Sequence, residues 1–167
     1  FKIEGRMKGI NYVAGVVKTY REAIDSLGNG EYAVNPRWLK ELSMFSSRGY
    51  TTGMFFGKQP DTDYNFDGES YRMSHELVGI ILKIKDGIAK VELRNRLDKG
   101  DAVEYLSPGL EDKLFALESI KDAAGMDITT ARNENIVFMP VPEGVMKGDL
   151  IRREKNFRLK PDVKGIV

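Results

Sequence analysis

The sequence predicts an α+β chain in two parts: half of a βα unit that belongs to a larger domain, then a small closed all-β barrel of about six strands. Three observations carry this. Phe1-Lys2-Ile3-Glu4-Gly5-Arg6-Met7-Lys8 reads as an apolar strand end that breaks at Gly5 into charged side chains, with a helix directly behind it. From Val78 to Leu93 the residues alternate with period two around Asp86-Gly87. Short β-prone runs separated by turn residues then continue to Arg152.

A strand that hands off to a helix through a polar corner is half of a βα unit, and such units need neighbours. The chain is therefore expected to begin inside the last unit of a larger domain. In an α/β barrel, residues just past the C-terminal end of a strand point into the active-site mouth. This makes Glu4 and Arg6 candidate catalytic residues, and Arg6 and Lys8 candidate substrate-binding residues, since an arginine there would hold a carboxylate or phosphate through two parallel bonds. The plainer reading is a Glu4–Arg6 pair that closes the barrel and never meets substrate.

Between Gly9 and Leu27 the residues Ile10, Val13, Ala14, Val17, Tyr20, Ala23, Ile24 and Leu27 trace one helical stripe. Gly28-Asn29-Gly30 is expected to end this helix, because glycine tolerates the left-handed conformation of a C-cap. Asn35-Pro36 is a helix start with the asparagine as N-cap. Trp38, Leu39, Leu42 and Phe45 form the apolar side of that second, short helix. In Arg48-Gly49-Tyr50-Thr51-Thr52-Gly53, two glycines bracket an aromatic and two hydroxyls, and Arg48, Tyr50, Thr51 and Thr52 are further substrate-binding candidates. A loop that merely docks on the barrel fits the same residues. Residues 59–75 are rich in Asp, Gly, Asn and Tyr without a clear period, as a connector would be.

In the second part, Val78, Ile80, Leu82 and Ile84 are expected on the buried face of a strand. Ala89, Val91 and Leu93 are expected on its hairpin partner, joined through the Asp86-Gly87 turn. Four more strands are drawn near 102–106, 114–120, 136–139 and 150–152. A barrel is preferred because closure removes exposed edges. Lys99-Gly100-Asp101 and Lys147-Gly148-Asp149 each precede a strand and read as turns, with the aspartate bonding its own nearby backbone.

Composition sets limits. With 41% hydrophobic and 31% charged residues, the chain is an ordinary globular one, and a net charge of +1 favours no class of partner. It has no cysteine, hence no disulfide or thiolate metal site. No apolar run reaches the ~20 residues that span a bilayer, so no membrane partner and a cytoplasmic location are expected. Gly53 to Lys58 lacks the spacing of a phosphate loop. Asp61, Asp63 and Asp67 lack the closing glutamate of a calcium loop, so no metal is assigned. His75 is the only histidine, which leaves no triad or histidine-rich zinc site to assemble and suggests a connector residue. Lys83, Lys85, Lys90, Arg94, Arg152 and Arg153 would form a basic face for RNA if the β part binds nucleic acid. A purely structural β module that braces a dimer is the alternative.

These segments, taken in order, resemble peptidase family U32. Phe1–Lys8 resembles the family's recurring segment near the end of its (βα)8 barrel, and Tyr12-Val13-Ala14 with Tyr20 to Asp25 resembles the helix that follows. The string Arg48 to Gly53 is similar to a second family motif. Val78-Gly79-Ile80, Glu92-Leu93-Arg94-Asn95, Lys99-Gly100-Asp101 and Gly148 to Arg153 are similar to its appended β-barrel domain. The resemblance implies the last βα unit of a (βα)8 TIM-type barrel in residues 1–58, a connector in 59–75, the β-barrel domain in 76–153 and a basic tail in 154–167. It implies a collagenase-like peptidase by name and, for several members, RNA hydroxylation, including 5-hydroxyuridine formation in tRNA. The implied partners are the upstream part of the same protein and tRNA or rRNA, with a homodimer as a further option. No cofactor is assigned to this segment, and the family's cysteine-bearing signature lies upstream. Ser47 stands where many members carry histidine, so a function needing that histidine is not carried over.

Overall fold

A hairpin folded around a tight turn builds the centre of the molecule. The computed structural model describes residues 1–28, 33–45, 54–57, 73–108 and 114–155. Strands β1 (His75–Lys85) and β2 (Ile88–Leu93) form the expected hairpin. Asp86 and Gly87 both take positive φ, 50° and 73°, as the two central residues of such a turn must. Ala89, Val91 and Leu93 are fully buried.

The remaining strands are β3 (Leu97–Asp98), β4 (Ala102–Leu106), β5 (Leu114–Ala116), β6 (Ile120–Lys121), β7 (Asp127–Ile128), β8 (Thr130–Ala131), β9 (Ile136–Pro140) and β10 (Leu150–Glu154). Eight of the ten form one antiparallel sheet in the order β5-β4-β10-β1-β2-β9-β6-β7, and β3 pairs with β8 in a second, two-stranded sheet. The expected closed barrel of about six strands is thus an open, curled sheet of more and shorter pieces. Its edge strands β5 and β7 have three and two residues, and no ladder joins them among the described residues.

The single strand expected near 114–120 divides, because the Leu117 N–H donates to the Asp101 carbonyl and the Gly100 N–H to the Leu117 carbonyl. The chain is pulled aside there, and β6 pairs with β9 instead.

Two irregularities shift the faces of β1. The register slips between Leu77 and Gly79 and again between Ile81 and Lys83. A bulge adds one residue and reverses which side chains point inward. Val78 and Ile81 are therefore buried, while Ile80, Leu82 and Ile84 are only half-buried. His75 is a further correction: it opens β1 and is buried rather than lying in a connector.

The two lysine–glycine–aspartate turns form as expected. Gly100 and Gly148 have φ of 91° and 94°. The Asp101 carboxylate accepts from the Asp98 N–H at 2.9 Å, and that of Asp149 from the Met146 N–H at 2.7 Å.

The helices α1 (Ile10–Ser26) and α2 (Pro36–Ser43) lie where the sequence places them. Asn35 caps α2 by accepting from the Arg37 N–H at 2.9 Å. α1 ends with Leu27 as an αR C-cap and without a left-handed Gly28, while Asn29 and Gly30 of the expected stop lie outside the described residues. Its buried face is the unexpected one: Asn11, Gly15, Val16 and Thr19 turn inward, while Ile10, Val13, Val17, Tyr20 and Leu27 stay exposed. The cause is steric. The Phe45 ring rests on Gly15, where a Cβ would stand 1.9 Å from a ring carbon. The Glu22 carboxylate also accepts from Arg37 at 2.9 Å and from the Trp38 indole at 3.2 Å. Small and polar side chains thus admit α2, and the apolar stripe is left over.

Val13 and Val17 of that stripe line a cleft of about 670 Å³ shared with Leu106, Pro108 and Leu150. Residues 1–9 form no strand. The Lys8 N–H closes a turn on the Gly5 carbonyl at 3.0 Å, and no partner strand lies beside Phe1–Glu4 among the described residues.

Ile151 sits at the centre of the core and is fully buried, whereas Leu114 is 65% exposed on the edge strand. Urea denaturation should show Ile151→Ala losing about 2–5 kcal/mol of stability. Leu114→Ala should change it by less than about 0.5 kcal/mol.

Candidate functional site

The polar corner at the start of the chain is open to solvent. Glu4 pairs with Lys2 at 3.0 Å rather than with Arg6, and both members of that pair are exposed. Arg6 is exposed as well. Lys8 is half-buried, with its ammonium 5.6 Å from the centre of the Tyr12 ring. It lines a cleft of about 400 Å³ with Asn11, Tyr12, Phe45, Glu76 and Lys155. The other substrate-binding candidates, Arg48, Tyr50, Thr51 and Thr52, lie outside the described residues, as does Ser47. The structure therefore brings Lys8 to a cleft wall but does not join Glu4 to Arg6.

The most heavily constrained polar group lies elsewhere. Arg152 of β10 has a fully buried side chain. Its guanidinium donates from Nη1 and Nη2 to the Glu41 carboxylate at 2.5 and 2.8 Å, and from Nε to Glu104 at 2.8 Å. Glu41 belongs to α2 and Glu104 to β4, so one side chain ties the helical segment to the sheet. Burial disfavours the charged arginine. The hydrogen bonds and charges of Glu41 and Glu104 outweigh burial and raise its pKa. Glu104 is likewise pulled up by burial, but the neighbouring His75 imidazole and the Arg152 charge outweigh this and lower its pKa.

His75 Nε2 stands 3.7 Å from Glu104, and the Ser74 hydroxyl is 2.9 Å from His75 Nδ1. Arg153, on the opposite side of β10, is held by Glu76 at 2.8 Å and by Asp101. The arginines expected on an RNA face are thus corrected: alternation along β10 sends Arg152 inward, and Arg153 meets two carboxylates. Arg94 is also engaged, by Glu92 at 2.9 Å.

The lysines fare differently. Register places Lys83 of β1 opposite Lys90 of β2, Lys90 opposite Phe138 of β9, and Phe138 opposite Lys121 of β6. These four residues form one rung across the outer face of the sheet. Lys83, Lys90 and Lys121 are exposed, and Phe138 is half-buried. Lys83, Lys85, Lys90, Ile88 and Phe138 line a shallow cleft of about 420 Å³. No carboxylate pairs with any of these lysines among the described residues. Sequence reading finds Lys83, Lys85 and Lys90 but misses Phe138 and Lys121, because only the β2–β9–β6 register brings them alongside. Among the described residues no group of three or more His, Cys, Asp or Glu is placed to hold a metal ion. No described helix is long and apolar enough to cross a membrane.

A helical segment clamped by a buried arginine onto an antiparallel sheet defines a two-part α+β unit. Residues 73–152 match the peptidase family U32 C-terminal domain, and residues 1–65 match peptidase family U32 itself. The chain belongs to this family. It is 31% identical to tRNA hydroxylation protein P1 of Bacillus subtilis (strain 168) over 159 residues, which cover 92% of this chain and 38% of the relative. It is 28% identical over 158 residues to a protein of Porphyromonas gingivalis named Collagenase, covering 92% of this chain and 44% of that one. Among solved structures, the C-terminal domain of a Geobacillus thermoleovorans protein classed as a U32 peptidase is 31% identical. It covers 48% of this chain and 93% of its own, with a TM-score of 0.44. The chain spans less than half the length of the curated relatives named here.

Removing Arg152 strands the buried Glu41 carboxylate, so Arg152→Ala should cost about 3–5 kcal/mol in urea denaturation at pH 7. The lowered pKa of Glu104 gives the sign of the pH dependence. Its stabilisation is complete above the ordinary glutamate range and is lost as pH falls through its folded value. Wild-type stability should therefore fall more steeply than that of Glu104→Gln between about pH 5 and pH 3, a window set by the usual glutamate pKa of about 4.3.

Proposed function

We propose that this chain is the C-terminal part of an RNA-modifying U32 protein, one that takes part in tRNA hydroxylation and 5-hydroxyuridine formation in the cytoplasm. In this reading residues 1–58 complete a (βα)8 TIM-type barrel, 59–75 connect, 76–153 form the sheet domain and 154–167 a basic tail. The catalytic centre lies in the upstream part, with Glu4, Arg6 and Lys8 at its rim. The sheet domain holds the nucleic acid near that centre.

The observation that carries the reading is the outer face of the sheet, where exposed lysines lack carboxylate partners among the described residues, as suits a polyanion-binding surface. The similarity to a tRNA hydroxylation protein over 92% of the chain supports it. The exposed stripe Ile10, Val13, Val17, Tyr20 and Leu27 supports the barrel assignment, since a helix buries such a stripe against its neighbours.

Peptide cleavage is the second reading, and two features favour it: the collagenase-named relatives and the Ser74–His75 contact at 2.9 Å. Against it, the carboxylate beside His75 is already bonded by Arg152. It predicts gelatin cleavage by the full-length protein that disappears in Ser74→Ala.

Nucleoside mass spectrometry of tRNA separates the two. A strain lacking the full-length protein should lose tRNA hydroxyuridine and regain it on complementation. Unchanged hydroxyuridine would remove the tRNA reading.

A further inference from the structure

We propose that the Lys83–Lys90–Phe138–Lys121 rung is a docking surface for single-stranded RNA. The Phe138 ring takes the face of an unpaired base, and the lysines on either side take the neighbouring phosphates. The inference deepens the RNA-modification reading and rests on it for the identity of the polyanion.

Three features of the rung argue for a ligand. Lys83 and Lys90 are register partners on adjacent strands, about 4.8 Å apart in backbone spacing. Like charges directly opposite each other destabilise a sheet. A carboxylate would relieve this, yet Glu92, on the same face of β2, is held by Arg94 at 2.9 Å. Asp127 stands opposite Lys121 on β7, but no ion pair joins them. None of these lysines is therefore neutralised by a direct ion pair among the described residues.

The second feature is the phenyl ring. Phe138 sits between Lys90 and Lys121 in the same rung, half-buried, so part of the ring faces solvent. Any base can stack on an aromatic face, whereas bases inside a duplex are already stacked on one another. The third is the floor that Phe138 shares with Ile88, in a cleft of about 420 Å³. That volume lies within the range of roughly 300–1,000 Å³ that accepts small organic groups. A lysine patch alone would suit any polyanion. The aromatic centre selects one with unpaired bases.

The test is fluorescence anisotropy of a labelled single-stranded oligouridine with the full 167-residue chain, a hairpin duplex and dextran sulfate serving as competitors. Three phosphate contacts predict that log K falls with log salt at a slope of about −2. The triple variant Lys83→Gln/Lys90→Gln/Lys121→Gln should bind at least about tenfold more weakly at low salt, with a flatter slope. Phe138→Leu, which keeps an apolar side chain against the sheet, should weaken oligouridine binding about tenfold and leave dextran sulfate binding unchanged. The charge-matched control Lys18→Gln/Lys40→Gln/Lys99→Gln, on α1, α2 and the turn before β4, should bind as wild type, and circular dichroism should show every variant folded.

The proposal is overturned if the rung variant binds as wild type, or if the control loses as much. It is also overturned if Phe138→Leu weakens both polymers equally. Rung-dependent binding in a protein whose deletion leaves tRNA hydroxyuridine unchanged would keep the rung and remove the modification reading. Hydroxyuridine that depends on the protein, with oligouridine binding indifferent to the rung, would do the reverse.

Discussion

A guanidinium with no solvent exposure is the constraint on which this structure depends. Moving an isolated charge out of water is prohibitive, so Arg152 can be buried only while carboxylates surround it. Glu41 supplies two acceptors from α2 and Glu104 supplies one from β4. Each partner comes from a different element, so the charge balance of the core is also a geometric condition. α2 cannot move off the sheet without exposing or stranding an ion. An apolar contact of the same area would permit sliding. A bidentate arginine–carboxylate pair does not, because both bonds share one plane. Stability here is a lesser matter than position, since a buried ion pair often adds little over a hydrophobic replacement.

The sheet that receives the clamp is shaped by interruptions. Two register slips in β1 reverse its faces, and the backbone bonds between Leu117 and the Gly100–Asp101 turn divide a predicted strand into β5 and β6. Bulges increase local twist and bend the strand that carries them. The result curls without closing. Its edges are kept short instead, which limits the unpaired backbone they present.

Local signals were legible wherever one short stretch settles the geometry. The Asp86-Gly87 turn, the Asn35 cap and both lysine–glycine–aspartate turns form as their residues require. Faces were not legible where a distant contact decides them. The stripe from Ile10 to Leu27 reads as a core face, yet Phe45 against Gly15 turns the helix the other way. The same limit applies to the site. Arg152 and Arg153 read as free basic residues because their partners, Glu41, Glu104, Glu76 and Asp101, are remote in sequence. Glu4 and Arg6 read as a pair from proximity, but an exposed ion pair is weakly held and Glu4 meets Lys2 instead.

Charge counting conceals how these residues divide the work. A net charge of +1 suggests a neutral surface, but arginines and lysines are used in opposite ways. Arg94, Arg152 and Arg153 are consumed by carboxylates, which suits a planar fork that matches them. Lys83, Lys90 and Lys121 stay outside on flexible stems. The two sets are mechanically joined. Arg152 lies opposite Leu77 in β1, and the same strand ends in Lys83 and Lys85, from which the rung crosses β2, β9 and β6. Continuous backbone pairing makes this a rigid path. A clamp that holds α2 against β10 therefore also sets the direction in which the lysine rung faces, relative to α1 and the polar corner at Glu4 and Arg6. The inward charges orient the outward ones.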